Sequence, residues 1–455
     1  MIESIQFANF KSWGSPPPMR FGRITGLFGS NSSGKSSVLQ VLLLFKQTAE
    51  SLDRSRTLHL GDERTPVDLG TFYDIVRDHQ IGRGLQFDLR WRREEPLRVL
   101  DPARRHAEVL SSDELRFSVV VDQVGEGEAA LLSVDRMSYG LGRASFSLTR
   151  REDDTTKYDL KAAGFDLRRK PGRPWPLPSP IKSYGFPDQV ANYYQNADFL
   201  SDLSLAFDEL MSSLSYVGPL RENPHRTYLW GGERPAGVGF KGERAVEALL
   251  AARAENRKIG RGEGRGKRYV LFETRIANWL QEMDLIESFQ VRQIARNRKE
   301  YEVRVRKTNS SPEVFITDVG FGVSQVLPVL VQCCYAPEGS VIIFEQPEIH
   351  LHPRVQAALA DVFIDTVIER NVQILVESHS EHLLRRLQRR IAEERLPNDE
   401  IALYFTRLKD GASELVTLDL DMFGNIRNWP EDFFGDELGE LTAMYDAATQ
   451  RVASG

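Results

Sequence analysis

Gly29-Ser-Asn-Ser-Ser-Gly34-Lys35-Ser36 satisfies the pattern G-x-x-x-x-G-K-[ST], and its neighbours supply the context that this pattern requires. Arg23 to Phe28 reads as an apolar strand running into the loop, and Ser36 to Glu50 as a helix that is apolar on most faces. In such a strand, loop and helix the glycines let backbone N–H groups wrap phosphate oxygens, and the helix N-terminus adds a favourable dipole. Lys35 is expected to reach the β and γ phosphates of a nucleotide, and the Ser36 hydroxyl to ligate Mg²⁺. Gly29, Ser30, Asn31, Ser32, Ser33, Gly34, Lys35, Ser36 and Ser37 are therefore the candidate residues for binding ATP.

A second polar group stands far downstream. Phe344-Glu345-Gln346-Pro347-Glu348 follows the apolar strand Val341 to Phe344, where P-loop ATPases carry the acid that holds Mg²⁺ through water. Glu345 is that acid, and with Ser36 it forms the candidate metal site. Gln346 cannot take a proton, but it can orient water; Glu348 either supplies the missing carboxylate or serves as a helix cap or salt-bridge residue. His379, in Glu377-Ser378-His379-Ser380 directly after the strand Val372 to Val376, lies at a strand's carboxyl end, where ligand crevices form and where a histidine could reach a γ-phosphate. Gln346, Glu348 and His379 are the candidate catalytic residues, and slow turnover is expected. His350 and His352 have no third ligand nearby, which favours a loop between subunits over a metal pair. Gly320-Phe-Gly322-Val-Ser324-Gln325 precedes an apolar helix, and alone Ser324 would pass for its N-cap.

The remaining chain offers mainly architecture. Its 455 residues exceed one ordinary domain, but a nucleotide-binding domain with a large insertion would use that length. A hydrophobic content of 41% with 27% charged residues is that of a soluble globular protein, and a net charge of −6 leaves no broad attraction for nucleic acid. No membrane span or signal peptide is visible, so a cytoplasmic location is expected. Cys333 and Cys334, the only cysteines, are adjacent, which excludes a disulfide framework and suits reduced, buried helix residues.

Ile2 to Phe10 alternates as a half-buried strand does, and short alternating segments recur from about Gly84 to Leu160, predicting an antiparallel sheet. Residues 171 to 187 read as a proline and glycine loop, and helical periodicity runs from Pro187 to Leu214. The glycine and arginine stretch Gly260 to Arg268 is either a solvated loop or a phosphate-backbone contact; Arg292 to Lys307 is expected to be a strand with one charged face, with nucleic acid contact as the weaker alternative. From Val314 onward an α/β lobe is expected, with a helix near Arg354 to Arg370, a basic helix from near Ser380, and strands Ile401 to Phe405 and Leu415 to Leu418. The predicted fold is α/β, a P-loop NTPase head with a mixed sheet, divided as 1–80, an inserted region 81–310 that is β-rich to about 160 and then largely helical, and 311–455.

The order of these motifs resembles ABC-type ATPases of the RecF, structural-maintenance-of-chromosomes and OLD (overcoming lysogenization defect) group, especially stand-alone bacterial AAA-type proteins related to OLD. The resemblance rests on Ile2 to Phe10 with Lys11-Ser12, on Asn31 to Ser37, on Glu345 to Pro353 and on Tyr216 to Glu222, and it covers about 1–75 and 310–410 well. It implies heads that dimerise head to tail over two ATP sites, with Ser324 meeting the γ-phosphate bound by the other copy and His379 as the switch histidine. It also places a Q-loop at Gln47 or near Asp68 to Asp74. Arg221 would contact nucleotide or pair with an acid. The chain departs from the group's usual pattern at Glu345, where aspartate is commoner, at Gln346, where glutamate is expected, and at His352, where many members have aspartate.

OLD proteins carry a C-terminal nuclease with an acidic metal cluster. Here 76 residues follow His379, and Asp419 and Asp421 are the only close acidic pair on a predicted strand, which a solvated strand end explains, so no intrinsic nuclease is expected. The favoured expectation is a dimeric ATP-gated switch that controls a separately encoded effector, such as a nuclease, in bacterial antiviral defence. A DNA-repair ATPase of the RecF kind, which would bind DNA, and a nucleotide sensor with negligible hydrolysis are the alternatives, and a transporter subunit fits less well.

Overall fold

The P-loop strand lies near the middle of a six-stranded sheet whose order across the molecule is Ala412–Thr417, Ile401–Lys409, Ile24–Gly29, Gln373–Glu377, Val341–Glu345 and Leu214–Val217. Five of these strands are parallel and the first is antiparallel to its neighbour, so the sheet is mixed, as the sequence predicts. The computed structural model describes the chain apart from residues 102–103, 126–129, 173–174, 263–267, 431–432, 434–436 and 455.

Both faces of this sheet are covered, which is why its strands read as nearly unbroken apolar runs. Successive side chains point to opposite faces. Leu27, Val341, Ile343, Leu375, Ala402 and Tyr404 enter one core with the P-loop helix Lys35–Glu50, while Ile24, Phe28, Ile342, Phe344, Ile374, Val376, Leu403 and Phe405 enter the other. That second core also takes the buried faces of helices Ala245–Ala254, Phe272–Glu282, Phe321–Tyr335, Pro353–Arg370 and Glu381–Ala392. Cys333 and Cys334 are free and buried there.

A second, antiparallel sheet runs Met19–Arg20, Ile2–Ala8, Leu85–Asp101, Arg104–Val124, Leu131–Leu141, Ala144–Arg150 and Tyr158–Ala163. The N-terminal strand thus belongs to the β-rich region, while Leu214–Val217, from the middle of the chain, belongs to the ATPase sheet. One buried amide joins the two sheets: Gln373 accepts from the N–H of Ile2 (2.9 Å) and donates to the carbonyls of Ile2 (2.8 Å) and Gly22 (2.9 Å).

Several local expectations change. The basic run at 292–307 is not one strand but spans a hairpin of Ser288–Gln293 and Glu300–Arg306, because the polar Asn297 region turns with Asn297 in the left-handed conformation (φ 64°). The helical stretch from Pro187 is split into Gln189–Tyr193 and Phe199–Ser213. Lys258–Arg261 pairs with Arg268–Leu271 as a two-stranded ribbon, and the glycine and arginine residues 263–267 between them lie outside the described residues, as do 173–174 of the proline and glycine loop. Asp419 and Asp421 follow the strand Ala412–Thr417 instead of lying on it, and Asp421 accepts from the N–H groups of Phe423 and Asn425, the work of a turn. No helix among the described residues is long and apolar enough to cross a membrane.

Candidate functional site

Gly34 caps the P-loop helix in a left-handed conformation (φ 92°), and no side chain caps the first turn. The N–H groups that every helix leaves unpaired at its start are thus free for an anion. A side chain at Gly34 would collide with Trp13 Nε1 (2.6 Å) and Ser413 Oγ (2.5 Å), and one at Gly29 (φ 138°) with the Thr406 carbonyl (2.0 Å). Trp13, fully buried, donates its indole N–H to the Gly34 carbonyl (3.0 Å), so the antiparallel sheet holds the loop from outside. Ser33 is buried and spends its hydroxyl on the Ser30 carbonyl (2.7 Å) and on Thr406 (2.6 Å), which makes its side chain an anchor of the loop. Ser30, Asn31 and Ser32 are exposed at the tip, and Ser37 is buried.

The loop opens into a cleft of about 770 Å³, lined by Asn31 to Ser37, Lys11, Ser12 and Gln40, by Gln346, Glu377 and His379, and by Asp74, Val76, Asp78 and His79. Lys35 is buried, and its ammonium donates to the carbonyls of Gly29 (3.1 Å) and Ser30 (2.6 Å). Burial lowers its pKa, and the carboxylates of Glu377, Glu345 and Glu348 act against that shift. The cation is therefore held on loop carbonyls at the place where phosphates are expected.

Glu345 and Glu377 pair in register on adjacent parallel strands. Tyr216 donates its hydroxyl to Glu345 (2.7 Å), and Ser36 donates to Glu377 (3.1 Å). Burial first, and then the neighbouring charge of Glu345, push the Glu377 carboxyl up to about 7. Sequence reasoning missed Glu377 as a site residue. Its only signal was a carboxylate ending a strand that is otherwise apolar.

These oxygen donors fit Mg²⁺, a hard cation. The Glu377 Oε2 atom is buried without a hydrogen-bond partner among the described residues, and Ser36 and Glu345 stand beside it. No group of three or more His, Cys, Asp or Glu side chains among the described residues could hold a metal by itself, so phosphate and water oxygens would complete the shell.

Gln346 adopts a left-handed backbone (φ 44°) that glutamine rarely takes, and its N–H donates to the Glu377 carbonyl (2.8 Å). This directs residue 346 to the cleft, next to the acids. His379 is exposed there, its pKa lowered by partial burial and then by the charge of Lys35, which favours the neutral imidazole. Glu348 does not line the cleft. It lies beneath the floor, 6% exposed, and accepts the N–H of His379 (2.7 Å), while burial raises its pKa.

His352 caps the helix Pro353–Arg370, accepting from the N–H of Arg354, and His350 is exposed in a left-handed turn (φ 61°). Gln47 is buried in the P-loop helix and donates to the His59 carbonyl, away from the cleft, whereas the Asp74 region forms a wall of it. Ser324 is not an N-cap: Gly320 holds that position, and Ser324 lies in the first turn of Phe321–Tyr335, donating to the Phe321 carbonyl (2.9 Å). It does not line the P-loop cleft and borders a separate hollow with Glu222, Leu327 and Pro328.

Residues 24–385 match the family described as "AAA domain, putative AbiEii toxin, Type IV TA system", and residues 396–444 match "Protein of unknown function (DUF3696)". None of the curated proteins matches the chain. Similar solved structures include an SMC head bound to the C-winged helix domain of ScpA, at 13% identity over 92% of this chain and 98% of that one, with a TM-score of 0.46. They also include the SMC head domain from Thermotoga maritima, at 11% identity over 92% and 99% with a TM-score of 0.40. A third is an Smc head with an extended coiled coil bound to the C-terminal domain of ScpA derived from Pyrococcus furiosus, at 11% over 92% and 96% with a TM-score of 0.43. With the phosphate loop, the acid strand and His379 all inside the first of these matches, the chain belongs to that AAA-domain family of P-loop ATPases.

Proposed function

We propose that the chain binds ATP with Mg²⁺ in the P-loop cleft, hydrolyses it slowly and uses the nucleotide to close against a second copy of itself. The observation that carries this reading is the convergence of Asn31 to Ser37, Gln346, Glu377 and His379, from three distant segments, on one cleft. Lys35 exchanges loop carbonyls for the β and γ phosphates, neutral His379 donates to the γ-phosphate, and Gln346 orients the attacking water. Ser36, Glu345 and Glu377 would hold Mg²⁺, which when bound supplies positive charge to the phosphate oxygens.

The start of the helix Phe321–Tyr335 supports the two-copy arrangement: Ser324, 7% exposed, does not line the cleft of its own chain, and Phe321 in the same turn is 65% exposed. A subunit whose phosphate donors line one cleft, and whose helix start at the exposed Phe321 lies outside that cleft, would complete its site with a partner. ATP then shifts the population toward the closed pair by its higher affinity for that state. We further propose that the closed pair governs a separately encoded effector in bacterial antiviral defence; the family's description, which names a type IV toxin–antitoxin system, supports a role within such a paired system. The group within the family that this chain most resembles is the stand-alone OLD-related ATPases.

A second reading, a nucleotide sensor with negligible hydrolysis, is favoured by Gln346 alone, because an amide cannot take the proton from water. Phosphate release by the wild type and by Lys35→Ala separates the two. Lys35-dependent release is expected; ATP binding without any such release would establish the sensor and end the hydrolase reading. Sedimentation with and without ATP tests the pairing, which Ser324→Arg should abolish while leaving ATP binding intact.

A further inference from the structure

Two consecutive residues in the wall of the cleft hold a backbone conformation that only glycine takes freely. Asp78 (φ 54°) and His79 (φ 56°) are both left-handed, and both line the cleft. Such strain persists only where the surroundings over-determine it, and it gathers at ligand clamps. Neither residue takes part in the phosphate chemistry proposed above.

The surroundings that impose the strain are visible. Phe10 and Val76 form an antiparallel bridge, the Lys11 N–H donates to the Ile75 carbonyl (2.7 Å), and the Arg77 N–H donates to the Asn9 carbonyl (2.9 Å). The segment is thus tied to the turn that carries Lys11 and Ser12, which line the same cleft. The left-handed pair then brings the chain back, so that the His79 imidazole lies flat on the Tyr73 ring, with centroids 4.2 Å apart and planes 11° from parallel. His79 Nδ1 is 2.8 Å from the Tyr73 carbonyl, which can only accept, so Nδ1 carries the hydrogen and donates. His79 stays exposed, because Tyr73 covers one face of its ring.

An imidazole fixed by a stack and a hydrogen bond at the wall of a nucleotide cleft offers what a base needs, since every base has a π face to lay on an aromatic ring. The phosphates belong to Asn31–Ser37, and the outermost one to the wall of Gln346, Glu377 and His379, which comes from the ATPase strands. The wall of His79 comes instead from the turn after the strand Ile2–Ala8 and the segment bonded to it. It is left for the other end of the nucleotide. At about 770 Å³ the cleft is of the size that encloses a whole ligand of this kind.

We propose that the Tyr73–His79 stack is the platform for the nucleobase, with the base as a third layer on the imidazole, and that it makes the site favour purine over pyrimidine nucleotides. The proposal rests on the ATP-binding reading of the P-loop cleft and adds to it the residue that holds the base. A purine lays two fused rings on the platform and a pyrimidine one, so the purine gains more contact.

Calorimetric titration of the full chain with Mg·ATP, Mg·CTP and Mg·tripolyphosphate separates the base from the phosphates. His79→Ala should weaken ATP about tenfold and leave tripolyphosphate within about twofold of the wild type. His79→Phe, which keeps a ring, should recover most of the ATP affinity. The wild type's preference for ATP over CTP should shrink in His79→Ala. Equal losses for ATP and tripolyphosphate would make His79 a support of the wall alone, and an unchanged ATP affinity would put the base elsewhere; either result overturns the proposal. Lys35→Ala tells the two failures apart. If it weakens neither ATP nor tripolyphosphate, the P-loop reading fails and the platform with it; if it weakens both while His79→Ala weakens neither, only the platform is wrong.

Discussion

Glu345 and Glu377 stand opposite one another at the carboxyl ends of adjacent parallel strands, one bonded to Tyr216 and the other to Ser36. Burial and the nearby Glu345 charge make Glu377, which is 2% exposed, costly to ionise, and the Lys35 ammonium offsets only part of that cost. The acid end of the site therefore holds one carboxyl well above the usual carboxylate range.

The first prediction concerns pH. The Glu377 carboxyl rises from 4.5 to about 7 in the folded, nucleotide-free chain. Between those values the unfolded chain has released a proton that the folded chain keeps, so stability falls as pH rises through this window, and above it the cost is complete at roughly 3 kcal/mol. Glu377→Gln should therefore stabilise the nucleotide-free protein at pH 8 and hardly at pH 5, measured by urea denaturation. Equal gains at both pH values would refute the assignment.

Gln346→Glu should speed Lys35-dependent phosphate release by about tenfold or more, since it places a proton acceptor where the backbone already faces the cleft. A phosphate-release assay at saturating ATP reads this directly. An unchanged rate would mean that the proton leaves by another route.

Trp13→Phe removes the indole bond to the Gly34 carbonyl and keeps an aromatic ring against Phe7. A loss of about 1 kcal/mol in loop order should appear as a several-fold weaker affinity for a fluorescent ATP analogue, with the circular dichroism spectrum unchanged. Undiminished affinity would show that the loop holds its shape without the antiparallel sheet.

Gln373→Leu leaves buried groups of Ile2 and Gly22 without partners. The expected cost is about 3 kcal/mol, visible as a lower urea midpoint. A change below about 0.5 kcal/mol would show that the two sheets stay joined without this amide.

Much of the fold was legible because its strands and the P-loop helix repeat their own periods. Ile24–Gly29 and Val341–Glu345 are apolar throughout, as doubly covered strands must be, and Gly320 to Pro328 announces an apolar helix although its start lies earlier than the serine suggested. The hairpin hidden in the basic run 292–307 was not legible, because alternation continues across a short turn and only the pairing reveals the reversal. In the site, the loop residues and His379 were found from motifs. Glu348 was also found, yet its seat beneath the floor depends on burial, which spacing does not encode.

The sequence alone determined the phosphate loop, since a strand, two glycines in left-handed turns, a lysine and a helix N-terminus are set by neighbours along the chain. Only the tertiary structure decided the rest of the site. Parallel pairing brings the ends of strands from opposite parts of the chain to one edge, which places Glu377 against Ser36 and Tyr216 against Glu345. Packing then removes water from Glu377 and Glu348, and it is this burial that pushes both carboxyls above their ordinary range.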